Sequence, residues 1–307
     1  MLLSRELNSM KGVNMAGKPR KPDFLIIGVQ KGGTTWLWKI FREHPDVRIP
    51  PKKEIHFFDR NILEHSMEWY MQQLIDPKGM ALIAGEKTPC YAHLPKYTIE
   101  FIQRNIPKVK IILLLRDPVE RAWSQARMEI SKYNTRKLGN LDLYRCVFQC
   151  GLLRNTRRTD YKKILHNWLN TFHEEQVFIG LYEQIASQPK ELLTKICGFL
   201  NVRDPSKCEL KHLSDKVWQS PSLDMPPAVR WILKRKYAPT VRHVKSLYHD
   251  AIIWESNQHH QCDDIPWWGK CWVYFLFHIA TLPYNGVYVF YDFIRGLKMR
   301  YRFREEI

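Results

Sequence analysis

The sequence predicts an α/β protein: a P-loop-like, three-layer fold in which a central, mostly parallel sheet is flanked by helices. Three observations lead there. Residues 23–29 (DFLIIGV), 109–115 (VKIILLL) and 177–181 (VFIGL) are short and continuously apolar, the pattern of strands buried on both faces. Helix-like stretches follow them, so that strands and helices alternate along the chain. A glycine-rich turn joins the first strand to the first helix.

Taken in order, the first strand leads into Gly28-Val29-Gln30-Lys31-Gly32-Gly33-Thr34-Thr35 and a helix over residues 34–42. Glycines let the backbone turn tightly, so that successive amides and the helix N-terminus converge on an anion. Thr34 and Thr35 add hydroxyls. An ordinary strand–helix turn is the plain alternative. The turn is not a Walker A loop, which needs a Lys after its last Gly and a hydroxyl after that Lys. Here Lys31 precedes the glycines. The second strand ends at Arg116, whose position calls for an anion or a carboxylate. Asp117-Pro118-Val119-Glu120 then reads as a helix start, with an N-cap Asp, Pro at N1 and Glu at N3. The third strand precedes a helix over residues 190–200. Parallel sheets bind ligands at the carboxyl ends of their strands, where both the glycine turn and Arg116 fall.

The 307 residues carry 48 Lys and Arg against 31 Asp and Glu, a net charge of +17 that calls for an anionic partner. No nucleic-acid-binding module is recognisable. Seven cysteines exclude a full disulfide framework, and none shows C-x-x-C spacing. Cys146 and Cys150, one helical turn apart, read as core packing rather than as metal ligands. His259, His260, Cys262, Asp263 and Asp264 collect ligand types in a polar run, and no metal is expected there. Residues 1–21 read as a flexible basic N-terminus without the apolar stretch of a signal peptide or N-terminal anchor. Residues 22–256 form the α/β domain, and a polar stretch at residues 257–264 opens a C-terminal segment, 257–307. Within it, 18 of the 24 residues from Cys271 to Ile294 are hydrophobic, and Asp292 is the only charge. Trp267, Trp268 and Trp272 sit at its start and a series of arginines follows it, a flanking pattern that suits a membrane interface. His278, Pro283, Asn285 and Gly286 are expected to break it. An interfacial or re-entrant anchor, a hairpin packed on the domain and a single span all stay open.

The segment FLIIGVQKGGTTWLWKIFREHPDV resembles the 5′-phosphosulfate loop of the sulfotransferase superfamily. KIILLLRDPVERAWSQ resembles its 3′-phosphate motif, which places Arg116 and Ser124 on that phosphate. KEIHFFD (residues 53–59) and EKTPCY (residues 86–91) are similar to the branch that holds the heparan sulfate N- and 3-O-sulfotransferases. The four motifs keep the family's order and span about residues 23–250. The resemblance implies a sulfuryl donor, 3′-phosphoadenosine 5′-phosphosulfate (PAPS), with the bisphosphate PAP as product and no metal. It implies donor contacts from Lys31, Gly32, Gly33, Thr34, Thr35 and Trp36. Lys31 would assist the leaving phosphate oxygen, Glu54 act as general base, Lys87 face the sulfuryl group, and His56 and Asp59 support the acceptor site. Lys216 and Trp218 match a basic residue and an adenine-stacking aromatic, although Val217 stands where the family often has Gly.

Taken alone, Glu54 reads equally as a surface carboxylate paired with Lys52 or Lys53, His56 as a structural histidine, and Asp59 as a helix cap. Thr35 stands where the 3-O-enzymes carry Arg, so the acceptor's identity does not transfer. A carbohydrate is the expected acceptor, with a lipid or small alcohol as the variant. A nucleotide kinase and a non-catalytic polyanion-binding module are the competing classes. The expected location is cytoplasmic or membrane-associated through the C-terminus, with the Golgi suggested by the resemblance alone.

Overall fold

A computed structural model describes residues 17–132, 140–205, 224–248, 254 and 266–305. In chain order its elements are β1 (Phe24–Gly28), α1 (Thr34–Glu43), β2 (Val47–Arg48), α2 (Met67–Gln72), β3 (Ile83–Lys87), α3 (Lys96–Asn105), β4 (Lys110–Leu115) and α4 (Pro118–Ser131). There follow α5 (Asn140–Gly151), α6 (Leu153–Thr156), α7 (Tyr161–Leu169), β5 (Val177–Leu181), α8 (Tyr182–Ser187), α9 (Pro189–Leu200), α10 (Pro227–Leu247), α11 (Trp267–Tyr274) and α12 (Leu282–Glu305). The five strands pair in the order β2-β3-β1-β4-β5, and every pair is parallel.

The continuous apolar runs have a simple cause. Side chains alternate across a strand, and here both faces of the sheet are covered. Leu25, Ile27, Ile111 and Leu113 enter one core with Phe57, Tyr91 and Trp168. Phe24, Ile26, Ile112 and Leu114 enter the other with Trp36, Phe41 and Ile196. A third apolar cluster joins α4, α5 and α10 to the C-terminal segment through Trp123, Cys146, Cys150, Leu233 and Phe277. Cys146 and Cys150 thus both pack in this core.

The C-terminal segment differs from the expected broken run. Residues 275–279 form a π-turn after α11, and the one interruption falls at Ala280 and Thr281. Pro283 sits in the first turn of α12, where its missing N–H costs nothing. Asn285 stays helical because its side chain is spent on the domain: Oδ1 accepts from the Leu153 amide at 2.7 Å. Arg157 pairs with Asp292, and Phe303 stacks on Phe101 at 4.2 Å, pinning the rest of α12. The stretch Trp267–Phe303 is long and apolar enough to cross a membrane by length and composition. Lys216, Trp218, the His259–Asp264 cluster and the boundary at residues 257–264 lie outside the described residues.

Candidate active site

The carboxyl ends of β1, β3 and β4 adjoin, because β1 pairs with both of the others. After β1 the Val29 amide donates to the Leu114 carbonyl at 2.8 Å, and Gly32 donates back to Val29 at 2.9 Å. Gly33, at φ 91°, is the N-cap of α1. Glycine is required twice, by close approach to backbone at Gly32 and by its left-handed φ at Gly33. A Cβ on Gly32 would lie 2.4 Å from the Leu114 oxygen, and one on Gly33 would lie 2.2 Å from Ile185 Cδ1. No side chain caps α1, so its first-turn amides at Thr34 and Thr35 suit an anion.

Cations gather around this turn. Arg116, just past β4, donates to the Lys31 carbonyl at 3.2 Å and lies 4.2 Å over the Tyr182 ring. That brace, a carbonyl and an aromatic face, holds the guanidinium at the mouth of the turn without any carboxylate in those two contacts. Lys31 takes a left-handed φ of 71°. Burial, then the neighbouring Arg116 and Arg127, pull its ammonium down to about 8. Ser124 is buried two turns along α4. The Trp36 ring is 2% exposed and packs in the core, and its amide donates to Gly33.

Asp117 caps α4 by accepting from the amides of Val119 and Glu120 at 2.8 and 3.2 Å. The reciprocal half of the expected capping box comes from elsewhere. The Asp117 amide donates to Glu183 of α8 at 3.0 Å, while Glu120 pairs with Arg230 at 2.8 Å.

Residues 53–59 lie beside the end of β3. Glu54 is not paired with its sequence neighbours: Lys53 sits 5.4 Å over the Trp38 ring. Its carboxylate is held between Lys87 Nζ at 3.1 Å and His56 Nε2 at 3.0 Å. The other His56 nitrogen, Nδ1, faces Asp59 at 2.9 Å. Asp59 is therefore engaged with the imidazole, and the helical turn that follows is capped by Arg60. Burial disfavours the Glu54 charge, but the His56 hydrogen bond and Lys87 outweigh it and hold the carboxyl at about 2. Burial also opposes protonation of His56, but hydrogen bonds to Asp59 and Glu54 win and raise it to about 9. Lys87, 2% exposed at the end of β3, is depressed by burial and supported by Glu54.

Several residues that build the site have no role that the motifs assign. Glu86 is buried and accepts from Thr88 Oγ1 at 2.7 Å and from the Tyr91 hydroxyl at 2.9 Å. Tyr91 in turn accepts from the Phe58 amide at 3.3 Å, so Glu86 ties β3 to the Glu54 segment. Arg158 donates to Gln30 of the turn and to Cys90 Sγ at 3.6 Å. Residues so far apart in sequence offer only their charge type as a clue. His56, Asp59 and Cys90 also offer ligand atoms within 4.8 Å of one another. Both His56 nitrogens already face carboxylates, and burial raises the Cys90 thiol, so these three fit a hydrogen-bonded relay better than an ion site.

Known proteins resemble this chain over much of its length. The chain is 32% identical over 207 residues to heparan sulfate glucosamine 3-O-sulfotransferase 3B1 of Mus musculus, covering 61% of this chain and 48% of that protein. It is 27% identical over 276 residues to the membrane-associated sulfotransferase kil1 of Dictyostelium discoideum, covering 62% and 58%. The chain thus spans about half the length of the curated relatives it matches. A sulfotransferase crystal structure from Alicyclobacillus acidocaldarius superposes with a TM-score of 0.59 at 26% identity, covering 75% of this chain and 96% of that one. The sulfotransferase domain model matches residues 21–223, which include the glycine turn, the Glu54 segment, Lys87 and Arg116; the chain belongs to the sulfotransferase domain family.

Proposed function

We propose that the protein transfers a sulfuryl group from PAPS to a hydroxyl or amine of a carbohydrate acceptor. One observation carries this reading: an ionised carboxylate, Glu54, is held between Lys87 and His56 beside a phosphate-type turn. A pure binder has no use for a base beside two lysines, and the absence of Lys after Gly33 disfavours a nucleotide kinase.

When bound, PAPS supplies the sulfuryl group and departs as PAP. The Gly32–Thr35 turn with Lys31 fits the 5′ end, its uncapped α1 amides turned to an anion. Arg116 and Ser124 hold the 3′-phosphate, and Lys216 and Trp218 are assigned to the nucleotide by resemblance. Lys31 stabilises charge on the leaving oxygen, and Lys87 stabilises charge on the group in transit. Glu54 accepts the acceptor's proton. Held at about 2, it is a weak base while Lys87 faces it. As the Lys87 ammonium turns toward the sulfuryl oxygens, Glu54 gains basicity at the step that needs it. His56, fixed by Asp59, keeps the carboxylate oriented.

A membrane-borne acceptor is the second reading, favoured by the exposed aromatic face of α11 and α12. Trp267, Trp268, Phe290 and Tyr291 are each more than 60% exposed there. That face would rest on a lipid surface and make the enzyme membrane-associated through its C-terminus.

Calorimetric titration with PAP in EDTA tests the reading, with heparan sulfate as the acceptor for turnover. Wild type is expected to bind in the micromolar range, and Arg116→Ala to lose binding. Glu54→Gln is expected to keep PAP binding and lose about 10²–10⁴-fold in rate. A folded wild type that ignores PAP would overturn the proposal, and an undiminished rate in Glu54→Gln would remove that residue from the mechanism.

A further inference from the structure

A cavity of about 720 Å³ adjoins the site at Asp59 and Cys90. This is room for an organic ligand rather than a single ion. One wall is α12, from Tyr288 to Arg300, which lies wholly outside the family-matched residues 21–223. The facing walls come from residues 90–97 and 154–167.

Its charge is lopsided. Seven arginines and lysines line the cavity against three aspartates. Each aspartate is already engaged: Asp292 with Arg157 and Arg295, Asp59 with His56, and Asp160 as the N-cap of α7. Neither Arg158 nor Arg300 has a carboxylate partner within ion-pair distance among the described residues. Arg158 donates instead to Gln30 and Cys90, and its buried Nε has no hydrogen-bond partner. Arg300 lies 5.0 Å over the Tyr97 ring. The Nδ1 of His93, on the same wall, is also buried and unpartnered. Burial first, then Arg158, Arg295 and Arg157, pushes His93 well below the usual range and keeps it neutral. Positive charge left uncompensated in a half-open, partly apolar cleft is relieved by an anion.

We propose that this cavity is an anion subsite for an acidic glycan acceptor, in which Arg158 of the domain and Arg300 of α12 grip a carboxylate or sulfate group. Resting on the sulfuryl-transfer reading, this makes α12 part of acceptor recognition and aligns the glycan with Glu54 through the adjoining Asp59–His56 pair. Arg158 reaches both the cavity and Gln30 of the donor turn, so it couples the two halves of the site.

The test uses the full chain saturated with PAP and a fluorescent heparan sulfate oligosaccharide, compared with its desulfated, carboxyl-reduced counterpart. Wild type is expected to prefer the acidic form, and the Arg158→Gln/Arg300→Gln double variant, kept saturated with PAP, to bind it at least about tenfold more weakly. Arg300→Gln alone, at an exposed position, carries the test should the double variant fail to fold, with a weaker loss expected. Equal binding of the two oligosaccharides by wild type, or undiminished binding by the variants, overturns the subsite. So does a loss confined to phosphatidylserine vesicles, which would assign the cavity to lipid headgroups. A wild type that binds no PAP instead defeats the parent reading, so the two failures are distinct.

Discussion

Lys31 is the residue whose charge the site adjusts most usefully. Burial and the adjacent Arg116 bring its ammonium down to about 8 from the usual 10.5. The free protein therefore loses the Lys31 proton as pH rises through about 8, and an anion must restore that proton in order to bind. Linkage then sets the sign. PAP affinity is expected to be flat below about pH 8 and to fall above it, with a slope approaching one decade per pH unit at most. Lys31→Arg, which keeps its charge, should flatten the profile. An unchanged slope in that variant would place the titration elsewhere.

At the scale of elements, the β4–α4 junction shows how one cap serves two tasks. Asp117 closes the first turn of α4, and its amide is drawn to Glu183 of α8. Burial, against the opposing cap hydrogen bonds, raises its carboxyl to about 6 from 3.8. The folded state then binds the proton more tightly than the unfolded one, so this group favours folding most strongly in acid. That contribution declines as pH rises to about 6. Asp117→Ala is expected to lose about 1 kcal/mol with the cap. Asp117→Asn keeps a capping oxygen without the buried charge, so it should match or exceed wild-type stability at pH 7.5. Denaturant melts of both variants at pH 5 and 7.5 decide the matter. An Asn variant as weak as Ala would show that the charge itself is needed.

For the molecule as a whole, +17 net charge and a long aromatic helix face point the same way. The chain is expected to sediment with phosphatidylserine-containing vesicles and much less with pure phosphatidylcholine, and to be released by salt. Trp267→Ala/Trp268→Ala should weaken the attachment without altering PAP binding, because both rings are exposed. Equal sedimentation of that variant would remove the aromatic face from the interaction.

β1, β4 and β5 were legible in the sequence because buried parallel strands leave unbroken apolar runs. The glycine turn was legible because close approach to the Leu114 backbone at Gly32 and the left-handed φ of Gly33 admit no side chain. β3 was not, since IAGEK places Glu86 and Lys87 in buried positions that no strand pattern anticipates. Motif order nominated Glu54, His56 and Lys87. Only tertiary structure decided that Glu54 pairs with Lys87 rather than Lys53, that Trp36 belongs to the core, and that α12 walls a cavity beside the site. The physical reason is range. Periodicity and turn chemistry act between near neighbours, whereas charge pairing and cavity walls join residues that only the folded chain brings together.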